Sequence, residues 1–564
     1  MFKFYLKFIS YQKVRFLFLI LLISFYWPLD FILSPYLNKI FVDKITIGHD
    51  FFRPLILLIL VKVIFKIGEK IYNIYWAKFI TKMQKDIREY LFIYTHQHSR
   101  AFFTRNLSGS ITRLIFDAAD KCWNSLDLFL TSTPLLINII LTFYLTLKVN
   151  LFFGIIFLVW FIGHFVISLS LADKLIKYSQ KHLTSFLELS GKVNDSLANN
   201  FLIHLFSAVN FEKKYVEKFQ NIEQTNKEKS LKANTYLNAL LNLLEILVFI
   251  FSMGMLLYFK VKNRVTLGDF LLIYGLYNNF SVLLYSISTK IILSIQDSYS
   301  TKDALKTILS PYDINEGNEE LSLIKGKIEF KNITFSYGKE KVLNNFNLVI
   351  NPGERVGIIG STGAGKSTIV SLLLREFDPL EGSIEIDGQD IKNVTLKSLR
   401  SKISVVNQEP KSFNRTIAEN IAYSKKASIE DILKAAEKVQ FHEFIKALPN
   451  GCDFIVEESG NNLSFGERRK IELARAILDN APILVFDELL SNVEFNDSLM
   501  QQYNKLMDSK TVLVLDSKVY SIMNLDKICV IENGEIVEAG SHNELLEKKG
   551  KYWKLVKKDF GVED

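Results

Sequence analysis

Two short stretches carry residues of the right type and spacing for phosphate chemistry. The first is Gly360-Ser361-Thr362-Gly363-Ala364-Gly365-Lys366-Ser367-Thr368, which fits G-x-x-x-x-G-K-[ST]. Glycines at those positions let backbone N–H groups converge on an anion. Lys366 is spaced to reach the β- and γ-phosphates of a nucleotide, and Ser367 to reach Mg²⁺. The second is Ile483-Leu484-Val485-Phe486-Asp487-Glu488, an apolar run ending in two carboxylates about 120 residues downstream. Asp487 is placed to hold Mg²⁺ through water, and Glu488 to orient or deprotonate an attacking water.

These residues need elements to hold them. Arg355-Val356-Gly357-Ile358-Ile359 reads as a short buried strand, and Ile369 to Leu374 as the start of a helix. Strand, glycine loop and helix N-terminus together make an anion site. From about Gly326 onward strands, turns and helices alternate, which predicts an α/β P-loop NTPase domain over 326–564. A linker over 304–325 precedes it.

Residues 1–303 are of another kind. Six apolar stretches near 16–38, 53–76, 126–147, 151–171, 237–259 and 268–294 are long enough to span a bilayer. The second is the weakest, because Lys62 and Lys66 interrupt it. The reading is therefore an α-helical transmembrane domain of six spans joined to the α/β domain. The connections at 39–52, 148–150 and 260–267 are short, whereas those at 77–125 and 172–236 are long, polar and rich in Lys and Arg. The long ones must share a face with the P-loop domain, which follows the sixth span. That face is the cytoplasm, and the membrane is expected to be the cell (inner) membrane. Lys3, Lys7, Lys13 and Arg15 before the first span agree with this orientation. Lys62, Lys66, Asn138, His164 and Glu245 lie at membrane depth, where polar side chains serve either pairing or substrate.

A net charge of +8 over 564 residues is modest, and suits loops near anionic lipid better than a nucleic-acid groove. Cys122, Cys452 and Cys529 show neither metal-ligand spacing nor a disulfide framework. The spans exclude a soluble P-loop kinase.

The order of motifs resembles the ATP-binding cassette (ABC) transporters, in particular exporter half-transporters with the membrane domain first. Phe335-Ser336-Tyr337-Gly338 is similar to the family's adenine-stacking loop, with Tyr337 as the ring. Val406-Asn407-Gln408-Glu409-Pro410 resembles its Q-loop. Leu463-Ser464-Phe465-Gly466-Glu467 resembles its signature motif, and Gly540 to Leu546 its closing motif. In the membrane half, Thr266-Leu267-Gly268-Asp269 and the stretch Phe102 to Gly109, a loop tip set to touch the ATP-binding domain, are similar too. The resemblance implies a dimer with a second half-transporter, identical or not. Each ATP would lie between one chain's P-loop and the other's Ser464 and Gly466. Gln408 would join Ser367 and Asp487 at Mg²⁺ and link the γ-phosphate to the loop tips. The partners implied are ATP, Mg²⁺, membrane lipid and an unidentified transported substrate.

The chain departs from that pattern. Asp516-Ser517-Lys518 follows the strand Thr511–Leu515, and Ser517 stands where the family places a histidine on the γ-phosphate. A hydroxyl is shorter and carries no positive charge, so the resemblance implies slow turnover at this catalytic position. Phe465 replaces a glycine, Glu467 a glutamine, Glu494 an aspartate, and Leu489-Leu490 follow Glu488 where small or polar residues are usual. The expected function is ATP-driven export or leaflet flipping by alternating access. The alternative is an ATP-binding membrane regulator or assembly factor with little or no pumping.

Overall fold

The computed structural model describes residues 2–106, 108–322, 325–488, 503 and 506–561. They form two compact units. One comprises Met1–Gln97 and Asn106–Pro311, the other His98–Arg105 and Tyr312–Asp564.

The first unit is helical throughout. Among its described residues five helical stretches are long and apolar enough to cross a membrane: Lys13–Ile47, Leu126–Val149, Leu151–Ala198, Val209–Val261 and Leu267–Ile291. The expectation of six is thus not met by length and composition. The missing one, predicted at 53–76, lies inside a continuous helix Phe52–His96. Arg53, Lys62, Lys66, Glu69 and Lys70 lower its hydropathy. Two of these charges are neutralised locally, Lys62 by Asp30 of the first spanning stretch and Lys66 by Glu69 at 2.9 Å. That first stretch keeps its hydrogen-bonding through a π-helical turn at Leu29–Leu33, directly after Pro28, whose ring cannot donate to the preceding turn.

The other polar residues at depth also have partners. Glu245 accepts a hydrogen bond from Ser281 at 2.5 Å, and His164 meets Ser288 at 2.7 Å. Lys290 pairs with Asp127 at 2.7 Å. Asn138 donates to the carbonyl of Pro134 at 2.7 Å. The 148–150 turn is tight because Asn150 caps the next helix, its side chain accepting from Phe152 N at 2.9 Å.

At the 260–267 turn, Thr266 and Asp269 form a reciprocal capping box that starts the helix Leu267–Ile308. Asp43 accepts from Gly268 N at 2.9 Å, and Lys39 is paired with Asp269. A Cβ at Gly268 would lie 2.5 Å from the Lys39 carbonyl, so this contact requires glycine.

The helices Leu151–Ala198 and Val209–Val261, 48 and 53 residues long, run side by side. At 1.5 Å per residue they measure roughly 70–80 Å against a hydrocarbon core of about 30 Å. The long polar connections are therefore helices that continue far past the bilayer.

The second unit contains two sheets. A four-stranded antiparallel sheet has the order β2-β1-β4-β5, with β1 Ile328–Ser336, β2 Lys341–Ile350, β4 Glu381–Ile386 and β5 Gln389–Asp390. A six-stranded sheet has the order β10-β9-β3-β8-β7-β6, with β3 Arg355–Ile359, β6 Ile403–Val406, β7 Ile483–Asp487, β8 Thr511–Asp516, β9 Lys527–Glu532 and β10 Glu535–Gly540. Its inner pairs are parallel. The strands β3, β7 and β8 read as unbroken apolar runs because both of their faces are covered. β3 lies between β8 and β9, so the loop that leaves its C-terminal end is held by the most buried part of the unit.

Candidate functional site

The P-loop leaves β3 at Ile359 and enters the helix Lys366–Leu373. Two glycines have no substitute. A Cβ at Gly360 would lie 2.5 Å from the Ile531 carbonyl, and Gly365 sits at φ +100°, in the left-handed region. The turn tucks the Lys366 side chain under the loop, where its ammonium donates to the carbonyls of Gly360 at 2.8 Å and Ser361 at 3.1 Å. Burial pushes this lysine below its ordinary pKa, against the pull of Glu488, Asp516 and Asp487.

Strand register gathers the acids. Ile359 lies opposite Asp516 and Asp487 opposite Leu515, so the ends of β3, β7 and β8 share one edge. Ser367 donates to Asp487 at 3.2 Å. Glu488, at φ +53°, turns sharply out of β7, with its N–H donating to the Leu515 carbonyl at 2.7 Å. Its carboxylate accepts from the Gln408 amide at 2.5 Å. Burial raises the pKa of both Asp487 and Glu488, and the Lys366 charge opposes it in each case. Neutral hydroxyl, carboxylate and amide oxygens form a hard donor set that fits Mg²⁺.

Tyr337 donates to Thr368 at 3.3 Å, edge-on to Phe335 and Phe377, and remains 57% exposed. A braced ring with an open face beside the P-loop can stack a base.

The structure thus brings together Tyr337, the P-loop, Gln408, Asp487 and Glu488. Ser517 follows β8 at the same edge, half-buried, with its N–H held by the Asp516 carboxylate at 2.7 Å. Ser464 and Gly466 stand apart. Ser464 caps the helix Phe465–Asp479 in a reciprocal capping box with Glu467. Both are exposed, and among the described residues no hydrogen bond joins them to the P-loop. Leu489, Leu490 and Glu494 lie outside the described residues.

Two features go beyond the sequence reading, which expected only that a tip at Phe102 to Gly109 would touch the ATP-binding domain. The first is the segment His98–Arg105, which belongs to the same compact unit as the P-loop. Arg100 pairs with Glu376 at 3.0 Å, and Glu376 also accepts from Ser371 in the P-loop helix at 2.8 Å. Ser99 and Arg105 both donate to Asp313, at 2.7 and 2.8 Å. The second is a buried ion pair, Arg469 with Glu472, at 3.4 Å. Glu472 accepts from Asn407 twice, from the backbone N–H at 3.1 Å and from the side-chain amide at 2.9 Å. Arg469 donates to the Asn407 carbonyl and, at 3.4 Å, to that of Glu488. The helix bearing Ser464 is thereby tied to the loop bearing Gln408. The available signal was two charges at i, i+3 among Ile471, Leu473 and Ala474.

The family profile described as ABC transporter matches residues 343–491, and that described as ABC transporter transmembrane region matches residues 16–284. The ATP-dependent lipid A-core flippase of Desulfotalea psychrophila is 31% identical over 551 residues, covering 92% of each chain. That of Syntrophus aciditrophicus is 44% identical over 244 residues, 43% of this chain, so the chain spans 41% of the length of that relative. A solved structure of a bacterial Atm1-family ABC exporter with ATP bound superposes with a TM-score of 0.86 at 24% identity, covering 98% of this chain and 99% of that one.

Proposed function

The chain belongs to the ABC transporter family, and we propose that it uses MgATP to export a substrate, or flip it between leaflets, as a dimer. The observation that carries the reading is the joining, in one chain, of membrane-length helices to a P-loop with Asp487 and Glu488 at its edge. We assign 1–303 to the membrane domain, 304–325 to the linker and 326–564 to the ATP-binding domain, on the cytoplasmic side of the cell membrane. ATP would be cradled by Gly360 to Thr368 and stacked on Tyr337. Ser367, Asp487 and Gln408 would hold Mg²⁺, which supplies charge neutralisation between phosphates. Glu488 is the general base. Its burial favours a carboxylate that takes up a proton readily. Ser464 and Gly466 complete the partner chain's site, in keeping with their exposure. ATP drives the membrane half only through tighter binding to the closed dimer. Ser517 donates where the family's histidine would, without its positive charge.

For the substrate we propose an amphiphile with an anionic group. Lys62, Lys66 and Lys70 form an exposed row, one per turn, along an open cavity of about 920 Å³ that Asn38 and Glu69 also line, and an arriving anionic group would compete with Asp30 and Glu69 for the first two. Lysines at that depth require water or counter-charge. Relatives named lipid A-core flippases support this choice.

The test uses purified full-length protein. Glu488→Gln should lower ATP hydrolysis about 10²-fold or more while leaving ATP binding intact. In proteoliposomes, ATP should move fluorescent phosphatidylglycerol, and Lys66→Gln with Lys70→Gln should slow it. Unchanged hydrolysis would remove Glu488 as the base. ATP hydrolysis without movement of any lipid would favour the regulator reading.

A further inference from the structure

Between the helices Leu151–Ala198 and Val209–Val261 lies a cavity of about 260 Å³ that no step of the transport reading uses. Its floor is apolar, formed where Leu175 is buried with Leu237 and Leu241 and flanked by Leu171 and Ala233. Its rim carries three ammonium groups, those of Lys174, Lys229 and Lys232, and two phenols, Tyr178 and Tyr236. No carboxylate lines it. Glu228, which does not line it, pairs with Lys232 at 2.5 Å. Lys174, Lys229 and Lys232 are exposed.

Depth decides what such a cavity faces. The apolar stretches of the two helices end near 171 and begin near 237. Lys174 and Lys232 therefore sit about 5 and 8 Å beyond the hydrocarbon, at headgroup level. Tyrosines favour that level because their rings are amphipathic. Glu228 answers Lys232 alone, so the rim keeps a net positive charge whose members repel each other unless a further anion joins them. An apolar floor leading toward the bilayer is of no use to a free ion, but it suits a methylene chain. Basic pockets between spanning helices are known to hold acidic headgroups.

We propose that this cavity binds an anionic phospholipid, its phosphate held by Lys174, Lys229 and Lys232 and its chain lying along Leu171, Leu175 and Ala233. The lipid comes from the leaflet on the side of the long connections. The site is separate from the row at Lys62, Lys66 and Lys70, and it bridges the two longest helices, so its occupancy would set how firmly they pack.

The test reads binding, so it stands apart from the transport experiment. Full-length protein in detergent, carrying Lys66→Gln and Lys70→Gln so that the proposed transport row takes up no anionic lipid, is titrated with nitrobenzoxadiazole-labelled phosphatidylglycerol and with the matching phosphatidylcholine. Phosphatidylglycerol should bind about tenfold more tightly. Lys174→Gln with Lys229→Gln should remove that preference. Ala233→Trp, which fills the floor without changing charge, should block both lipids with the melting temperature preserved. Glu228→Gln, which releases Lys232, should tighten phosphatidylglycerol binding. Equal binding of both lipids, or a preference that survives the double substitution, overturns the proposal. Displacement by millimolar glycerol 3-phosphate overturns the lipid assignment and leaves a site for soluble phosphate.

Discussion

The buried pair Arg469–Glu472 offers the sharpest test of how the ATP-binding unit is organised. Both side chains are 4% exposed, so neither charge has water to fall back on. Glu472→Ala removes the ionic partner of Arg469 and the single carboxylate oxygen that accepts from both amide groups of Asn407. Breaking a buried ion pair from one side costs about 3–5 kcal/mol. The two amide donors add about 1–3 kcal/mol, less whatever water recovers. These terms overlap, so we take about 4 kcal/mol, which lowers the melting temperature by about 8–16 °C for a unit of this size. The double change Arg469→Met with Glu472→Leu removes both charges at similar volume, and should return to within about 1–2 kcal/mol of the parent. Asn407 remains unanchored in it, so the loop bearing Gln408 loses its seat. Thermal unfolding of the full-length protein by intrinsic fluorescence, beside ATP hydrolysis, separates the two effects. The single variant should be unstable and slow. The double variant should be stable and still slow, with kcat reduced and KM little changed. A single variant that melts within about 2 °C of the parent would refute the claim that the pair is buried and mutually dependent. A stable double variant at full speed would refute the positioning role.

Ser517→His should raise the hydrolysis rate, by up to about 10²-fold if the missing donor is the limiting defect, as single-turnover kinetics would show. Asp487→Asn should stabilise the unit at neutral pH. Burial raises the native pKa above its unfolded value, so the native state holds the proton more tightly. Stability therefore falls as pH rises through the interval between the two, and the gain from asparagine should shrink toward zero below it. Melting curves between pH 4 and 8 check this. Arg100→Ala, which frees Glu376 from its ion pair, should reduce lipid movement more than it reduces ATP hydrolysis, measured in the same proteoliposomes.

Much of the ATP-binding unit was legible because its signals are local. A glycine loop between an apolar strand and a helix, or an apolar strand ending in Asp487-Glu488, is written in consecutive residues. Hydropathy alone counts spans poorly where a charge has a remote partner. Lys62 weighs against a span in any hydropathy window, yet its charge is answered by Asp30, thirty-two positions earlier. Two charges at i, i+3 such as Arg469 and Glu472 carry no mark of burial in the sequence, because only tertiary packing buries them. The family resemblance pointed to a tip at Phe102 to Gly109, but its anchors Ser99, Arg100 and Arg105 meet Asp313 and Glu376 more than two hundred positions away, and no local pattern carries that.

The joint at Asp43, Gly268, Lys39 and Asp269 has a mechanical meaning. It pins the first turn of a helix 42 residues long, whose other end leads three residues later into the second unit. A rod of that length measures about 63 Å. It packs along its length against its neighbours, among them the helices Leu151–Ala198 and Cys122–Val149. A slip of one residue at the joint would carry the whole rod about 1.5 Å along its axis, and the tight glycine contact is what holds its first turn in place.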